Sequence, residues 1–276
     1  MIDFNIFFRR LSPLLSALVM VAAVSAANAT PITSDLSISG SAQFDAGFAA
    51  GELAGDATQS GNLNITQGSV NSSSSFSGAT APTSNPLNGI FTQTGDGVGF
   101  TGVANGNSSD QYGIGINLGI NLANSSAITT YVVVFRVDFS NLVNTAGNDA
   151  YTESQFSIMN AALSELFFTH LISDTLFGNK KNGNFTAGFG GTESDNGFDT
   201  LTFTLNPGDS LAFSGAWTLR SLITDGSASA NLATFISVDS VTGRGGNPNP
   251  VPAPATWLLL MLGAAAMRQF RPAARH

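Results

Sequence analysis

Five segments of the chain alternate apolar and polar residues with a period of two: Ile114 to Leu122, Thr129 to Phe139, Thr200 to Leu205, Ser210 to Leu219 and Leu232 to Val241. That period places every second side chain on one face of an extended strand, and the half-polar alternation predicts one buried and one solvated face per sheet. Glycine, serine, threonine and asparagine interrupt every longer periodic run, which favours strands joined by turns over helices. The expected fold class is all-β, an antiparallel β-sandwich of jelly-roll-like character. An outer-membrane barrel would need more segments, evenly spaced and about ten residues each.

Two local readings follow. Asn206-Pro207-Gly208-Asp209 suits a reverse turn, so 200–219 is predicted to be a hairpin. Between Ser154 and Leu171 the apolar residues Phe156, Met159, Leu163, Leu166, Phe167 and Leu171 fall near helical spacing, which permits either a short helix or a buried strand. From Thr30 to about Asn107 the chain is rich in Ser, Gly, Thr and Asn with isolated phenylalanines, and reads as short strands with long loops.

The two ends differ from the body. Residues 1–29 carry Arg9 and Arg10, an apolar run from Leu11 to Val24, and Ala27-Asn28-Ala29, the three parts of a secretory signal with cleavage after Ala29. Residues 246–254 alternate prolines, which fix φ and remove backbone donors, and form an extended linker. Residues 255–276 open on Ala255 and Trp257, continue apolar to Met267, and close on Arg268 and Arg271, as expected of a short hydrophobic helix with an interfacial aromatic and a positive stop. The domain plan is therefore a signal helix at 1–29, an ectodomain at 30–245, a linker at 246–254 and an anchor tail at 255–276.

The residues Val251-Pro252-Ala253-Pro254-Ala255-Thr256-Trp257, the leucine run after them and the closing arginines resemble the PEP-CTERM sorting domain. In that family a Val-Pro-Glu-Pro motif, a short apolar helix and an arginine cluster form a signal for exosortase, a membrane processing enzyme of Gram-negative bacteria that make exopolysaccharide. The resemblance implies transient inner-membrane anchoring, processing near the prolines by an exosortase-type partner, and a destination at the cell surface or in the extracellular matrix, where exopolysaccharide is a possible partner. Ala253 stands where the family has glutamate.

Charge narrows the choice of partners. Of 18 acidic and 10 basic residues, only Asp3 among the acids lies outside 30–250, whereas five of the arginines do, so the body holds 17 acids against 5 bases. Nucleic acid requires clustered Lys and Arg and is excluded as a partner. There is no cysteine, hence no disulfide, thiolate metal site or cysteine nucleophile.

Candidate chemistry is sparse. Gly208-Asp209-Ser210-Leu211 matches the short signature of GDSL-type esterases, but a serine nucleophile needs a base, and the histidines are His170 and His276 alone. The turn explains the four residues. Gly97 to Gly102 has dinucleotide-binding spacing with no helix start after it, and reads as a glycine-rich turn. Glu193, Asp195, Asn196 and Asp199 could supply oxygen ligands to calcium, although an acidic loop is the default. His170 reads as structural and Lys180-Lys181 as an exposed turn. No cofactor is implied. The chain is expected to be an exported, non-enzymatic structural or interaction protein. The alternatives are a carbohydrate-binding module, stacking sugar on Trp217, Tyr112 or Tyr131, and a secreted hydrolase.

Overall fold

The computed structural model describes residues 29–245, so the signal helix, the linker and the apolar tail helix lie outside the described residues. Within these bounds twelve strands, all paired antiparallel, and one seven-residue helix, α1 (Ala46–Glu52), form a β-sandwich. The fold class expected from the alternation is the one that forms.

Two strands organise it. β7 (Thr129–Asn160) and β12 (Ser210–Gly245) run alongside each other for almost their whole lengths, and each passes through both layers. In the first layer the early half of β7 and the late half of β12 lie between β11 (Gly191–Leu205) on one side and β5 (Gly97–Asn107), β2 (Thr58–Gln67) and β3 (Val70–Gly78) on the other. In the second layer the late half of β7 and the early half of β12 lie between β8 (Glu165–Asp174) and the group β6 (Gly113–Asn124), β1 (Leu36–Phe44) and β4 (Leu87–Phe91). The two-residue strand β9 (Lys180–Lys181) borders β8, and β10 (Asn184–Phe185) pairs in turn with β9.

The corner where both long strands turn over is a double bulge. The register slips between Ile223 and Asp225 and again between Asp225 and Gly226, leaving Thr224 on β12 and Asn148 on β7 without a partner in the ladder. One inserted residue reverses which side chains face inward. β12 accordingly buries odd residues from Phe213 to Ile223 and even ones from Ala228 to Ile236, while β7 buries Tyr131 to Val137 and then Ala150 to Ile158 with the opposite parity. Gly147 and Gly226 pair at this point with φ of 110° and 141°.

The layers meet through aromatic side chains. Trp217 has no exposed surface and stacks on Phe100 at 5.1 Å, its indole N–H donating to Ser154 Oγ at 3.1 Å. Phe203 stacks on Phe213 at 5.0 Å, and Phe139 meets Phe167 edge-on at 5.0 Å.

Two local expectations are corrected, and for 154–171 the strand alternative is the one that forms. The turn at 206–209 forms, with Asp209 N–H donating to Asn206 O at 3.0 Å and Gly208 at φ 82°, but 200–219 is not a hairpin. β11 pairs with β7 and the start of β12 pairs with β6, so the turn is an arch between layers whose arms meet by side chains. Alternation is identical for arch and hairpin, because both bury one face. The segment 154–171 is the end of β7, a turn and the start of β8. Its helix-like spacing arises because inward residues are even before the turn (Phe156, Ile158) and odd after it (Phe167, Leu171). Gly97 to Gly102 is not a turn but part of β5, where a Cβ on Gly102 would lie 2.1 Å from the Trp217 ring.

Candidate functional site

A polar network ties down the segment from 175 to 190, between β8 and β11, beside the corner. Asp174 starts it by accepting from the N–H groups of Leu176 at 2.7 Å and Phe177 at 2.9 Å. Asn179, buried, accepts from Asp174 N–H at 3.0 Å and donates to Gly190 O at 2.8 Å and Glu193 Oε1 at 3.1 Å. Thr186 donates to the same Glu193 oxygen at 2.7 Å. Short polar side chains that bond neighbouring backbone hold such a loop in one conformation.

On the flank, Asp195 accepts from Lys181 Nζ at 2.9 Å, Thr169 Oγ1 at 2.9 Å and Asn182 Nδ2 at 3.3 Å. Burial alone would raise its pKa, but these three donors outweigh it and lower it. On the outer face of the second layer, Glu153 lies between His170 Nε2 at 2.8 Å and Arg220, whose Nε and terminal nitrogen both reach it at 2.8 Å, and Tyr151 donates its hydroxyl to the same carboxylate. Burial would raise the Glu153 pKa, yet the hydrogen bonds from His170, Tyr151 and Arg220 bring it down to about 2. Every oxygen of this carboxylate is occupied, so the cluster clasps β8, β7 and β12 together across the sheet.

That clasp has a pH signature. A depressed carboxylate contributes stability above its unfolded pKa and loses it as the folded pKa is approached. The Glu153 contribution, up to about 2–3 kcal/mol, should therefore be present above pH 4.5 and disappear between 4.5 and about 2. Denaturant titrations should show wild type more stable than Glu153→Gln at neutral pH, with the gap closing over that window. A gap that stays constant with pH would show that the carboxylate is not what stabilises the contact.

The calcium candidates are not brought together. Glu193 and Asp195 face the same side of β11, but each already accepts from fixed donors, and the Lys181 ammonium sits on Asp195. Asp199 accepts from Thr200 N–H. Among the described residues no group of three or more acidic or histidine side chains could hold a metal ion. Ser210 is exposed at the start of β12, in a shallow depression lined also by Ser37, Ser39, Asn121 and Leu211, with no acid or histidine in the lining. Ala27, Val251, Pro252, Pro254, Ala255, Trp257, Arg268 and Arg271 lie outside the described residues. Ala29 is the first residue within them.

The three aromatic residues considered for a sugar platform are core residues. Trp217 and Tyr112 have no exposed surface and Tyr131 retains 5%. Exposed rings occur instead at Phe177, Phe185 and Phe189 in the 175–190 loop, at 78%, 68% and 70%. Lys180 Nζ lies 4.5 Å from the Phe185 ring. Sequence reasoning passed over these residues because they belong to no period. The available signal was a density of phenylalanine among glycine and asparagine, where no buried face can form.

No family model matches the chain, and no curated protein matches it. Among solved structures it is similar to the infectious bursal disease virus Gt strain structure, at 8% identity and a TM-score of 0.17, covering 94% of this chain and 96% of that one. It is also similar to the infectious bursal disease virus VP2 subviral particle, at 9% identity and a TM-score of 0.17, covering 84% and 73%. Similarity at that level carries no argument, and the β-sandwich assignment rests on the strand pairing described above.

Proposed function

We propose that this chain is an exported protein of the cell surface or extracellular matrix, delivered by its C-terminal sorting tail, which serves as a structural or interaction body rather than as a catalyst. The observation that carries this reading is the polarity of the body. Thr33 Oγ1 donates to the Tyr131 hydroxyl at 3.1 Å, and Gly243 is the ladder partner of Tyr131, so the first and last described strand segments meet at one pole. The late half of β12 runs from the corner to that pole, about 60 Å of strand at ~3.3 Å per residue. A tail held at a membrane would therefore present the 175–190 loop, with its exposed phenylalanines, at the far end.

The non-catalytic part of the reading is supported by the ring of His170, which is tied to Glu153, and by the histidine-free lining around Ser210. The tail is the part that experiment can decide. Truncation after Asn249 should release a soluble, folded protein into the periplasm or medium, whereas the intact chain should first fractionate with membranes. Neutral replacements of Arg268, Arg271 and Arg275 should weaken retention, because the 13 apolar residues from Ala255 to Met267 fall short of the ~20 that span a bilayer. In a host with exosortase, intact mass should show loss of the segment from Trp257 onward; its persistence would leave a plain anchor as the better account. N-terminal sequencing of the exported form should begin at Thr30.

A further inference from the structure

We infer that β3 is a docking edge for a second copy of this chain, pairing antiparallel with its own counterpart about a two-fold axis at Ser74. Among the described strands β3 pairs only with β2, so one side of its backbone has no ladder partner. Soluble β proteins guard such edges with charge, proline, brevity or a covering loop. The other long edge of this layer, β11, carries Glu193, Asp195 and Asp199; β4 has five residues and follows Pro86; β8 is bordered by β9 and the 175–190 loop. β3 has none of these. Its nine residues, Val-Asn-Ser-Ser-Ser-Ser-Phe-Ser-Gly, include no charge and no proline, and neither β2 nor β5 behind it carries a charge. A body with 17 acids against 5 bases can therefore approach its copy at this edge without setting like charges on facing strands.

The register makes the edge self-complementary. β2 and β3 are joined by the two-residue turn Gly68-Ser69, so Gln67 and Val70 close the hairpin as a pair that exchanges both hydrogen bonds. Alternation then turns the N–H and C=O groups of Asn71, Ser73, Ser75 and Ser77 outward. An axis at Ser74 sets Asn71 against Ser77 of the second copy and Ser73 against Ser75 of the second copy, so all four outward residues pair at once, with about eight main-chain hydrogen bonds. On the inner side, Ser72 of the second copy faces Phe76, which is only partly buried against Phe44. The six-strand layer becomes a continuous twelve-strand sheet. This inference does not depend on the sorting reading.

Sedimentation of the exported protein, purified in mild detergent, should show a concentration-dependent monomer–dimer equilibrium. Ser73 and Ser75 are exposed, so Ser73→Lys with Ser75→Lys, and Ser73→Glu with Ser75→Glu, should leave the unfolding midpoint unchanged while each weakens dimerisation at least ~10-fold by placing like charges opposite one another. Mixing the two variants should restore the dimer. Should either pair lower the unfolding midpoint, Ser75→Asp alone, which sets the two carboxylates diagonally across the axis, should still weaken dimerisation. A wild type that stays monomeric at about 100 µM, a lysine variant that dimerises as well as wild type, or a mixture that fails to recover would each overturn the inference.

Discussion

Gly226→Ala should cost at least ~3 kcal/mol of stability, and Gly226→Val should leave no folded protein to purify. A Cβ at Gly226 would lie 2.1 Å from the Ala146 carbonyl oxygen, and the backbone there holds φ at 141°, which L side chains rarely adopt. Neither conflict has a local escape, because the opposing residue is Gly147, whose own Cβ would lie 2.4 Å from the Gly226 Cα. Moving either strand disturbs the bulges that set the parity of both layers. Thermal or denaturant unfolding measures the effect directly. An alanine variant within 1 kcal/mol of wild type would mean that the two long strands can turn over by another route, and that the corner glycines are a convenience.

Trp217→Ala should be of similar size, about 3–5 kcal/mol for a large aromatic removed from a closed core. The ring is without exposure, stacks on Phe100, and donates its only polar hydrogen to Ser154. Gly102 exists at its position because the indole occupies the space a side chain would need. That relation gives a sharper test than the single variant. Gly102→Ala alone should be strongly destabilising, but with Trp217→Ala it should cost much less, since the added methyl then enters a cavity. Strict additivity of the two changes in a double-mutant cycle would show that contact with the ring is not why position 102 is glycine.

The strands were legible where one face is buried without interruption. The segments 114–122, 129–139 and 232–241 all fall inside observed strands, and β7 and β12 extend further than the alternation because the bulges at Asn148 and Thr224 break the period without ending the strand. What alternation lacks is partner identity. Leu201, Phe203 and Phe213 carry the same pattern whether they face each other across a hairpin or across two layers, and only the packing of Phe203 on Phe213 decides it. The site followed the same logic. His170 was legible as a structural histidine because it is solitary in the body, while its partner Glu153 lies 17 positions away, and Arg220, which shares that carboxylate, 50 positions away, with no motif to join them. Trp217 and the tyrosines suggested a surface platform by residue type alone, yet a chain without disulfides spends its largest rings in the core.

β12 has a mechanical consequence. It ends at Gly245, at the pole opposite the corner; Ser227 to Ser237 lie between β7 and β5 and Phe213 to Arg220 between β7 and β6, while Ser240 to Gly245 pair with β7 alone among the described strands. Tension applied at Gly245 along the strand axis loads the β12–β7 ladder in parallel, as shear, and reaches through it the stretch Ser227 to Ser237 that β5 also flanks. Pulled from Gly245 against the 175–190 loop, the body should yield as a single event at high force. The long β12–β7 ladder then gives way as one unit.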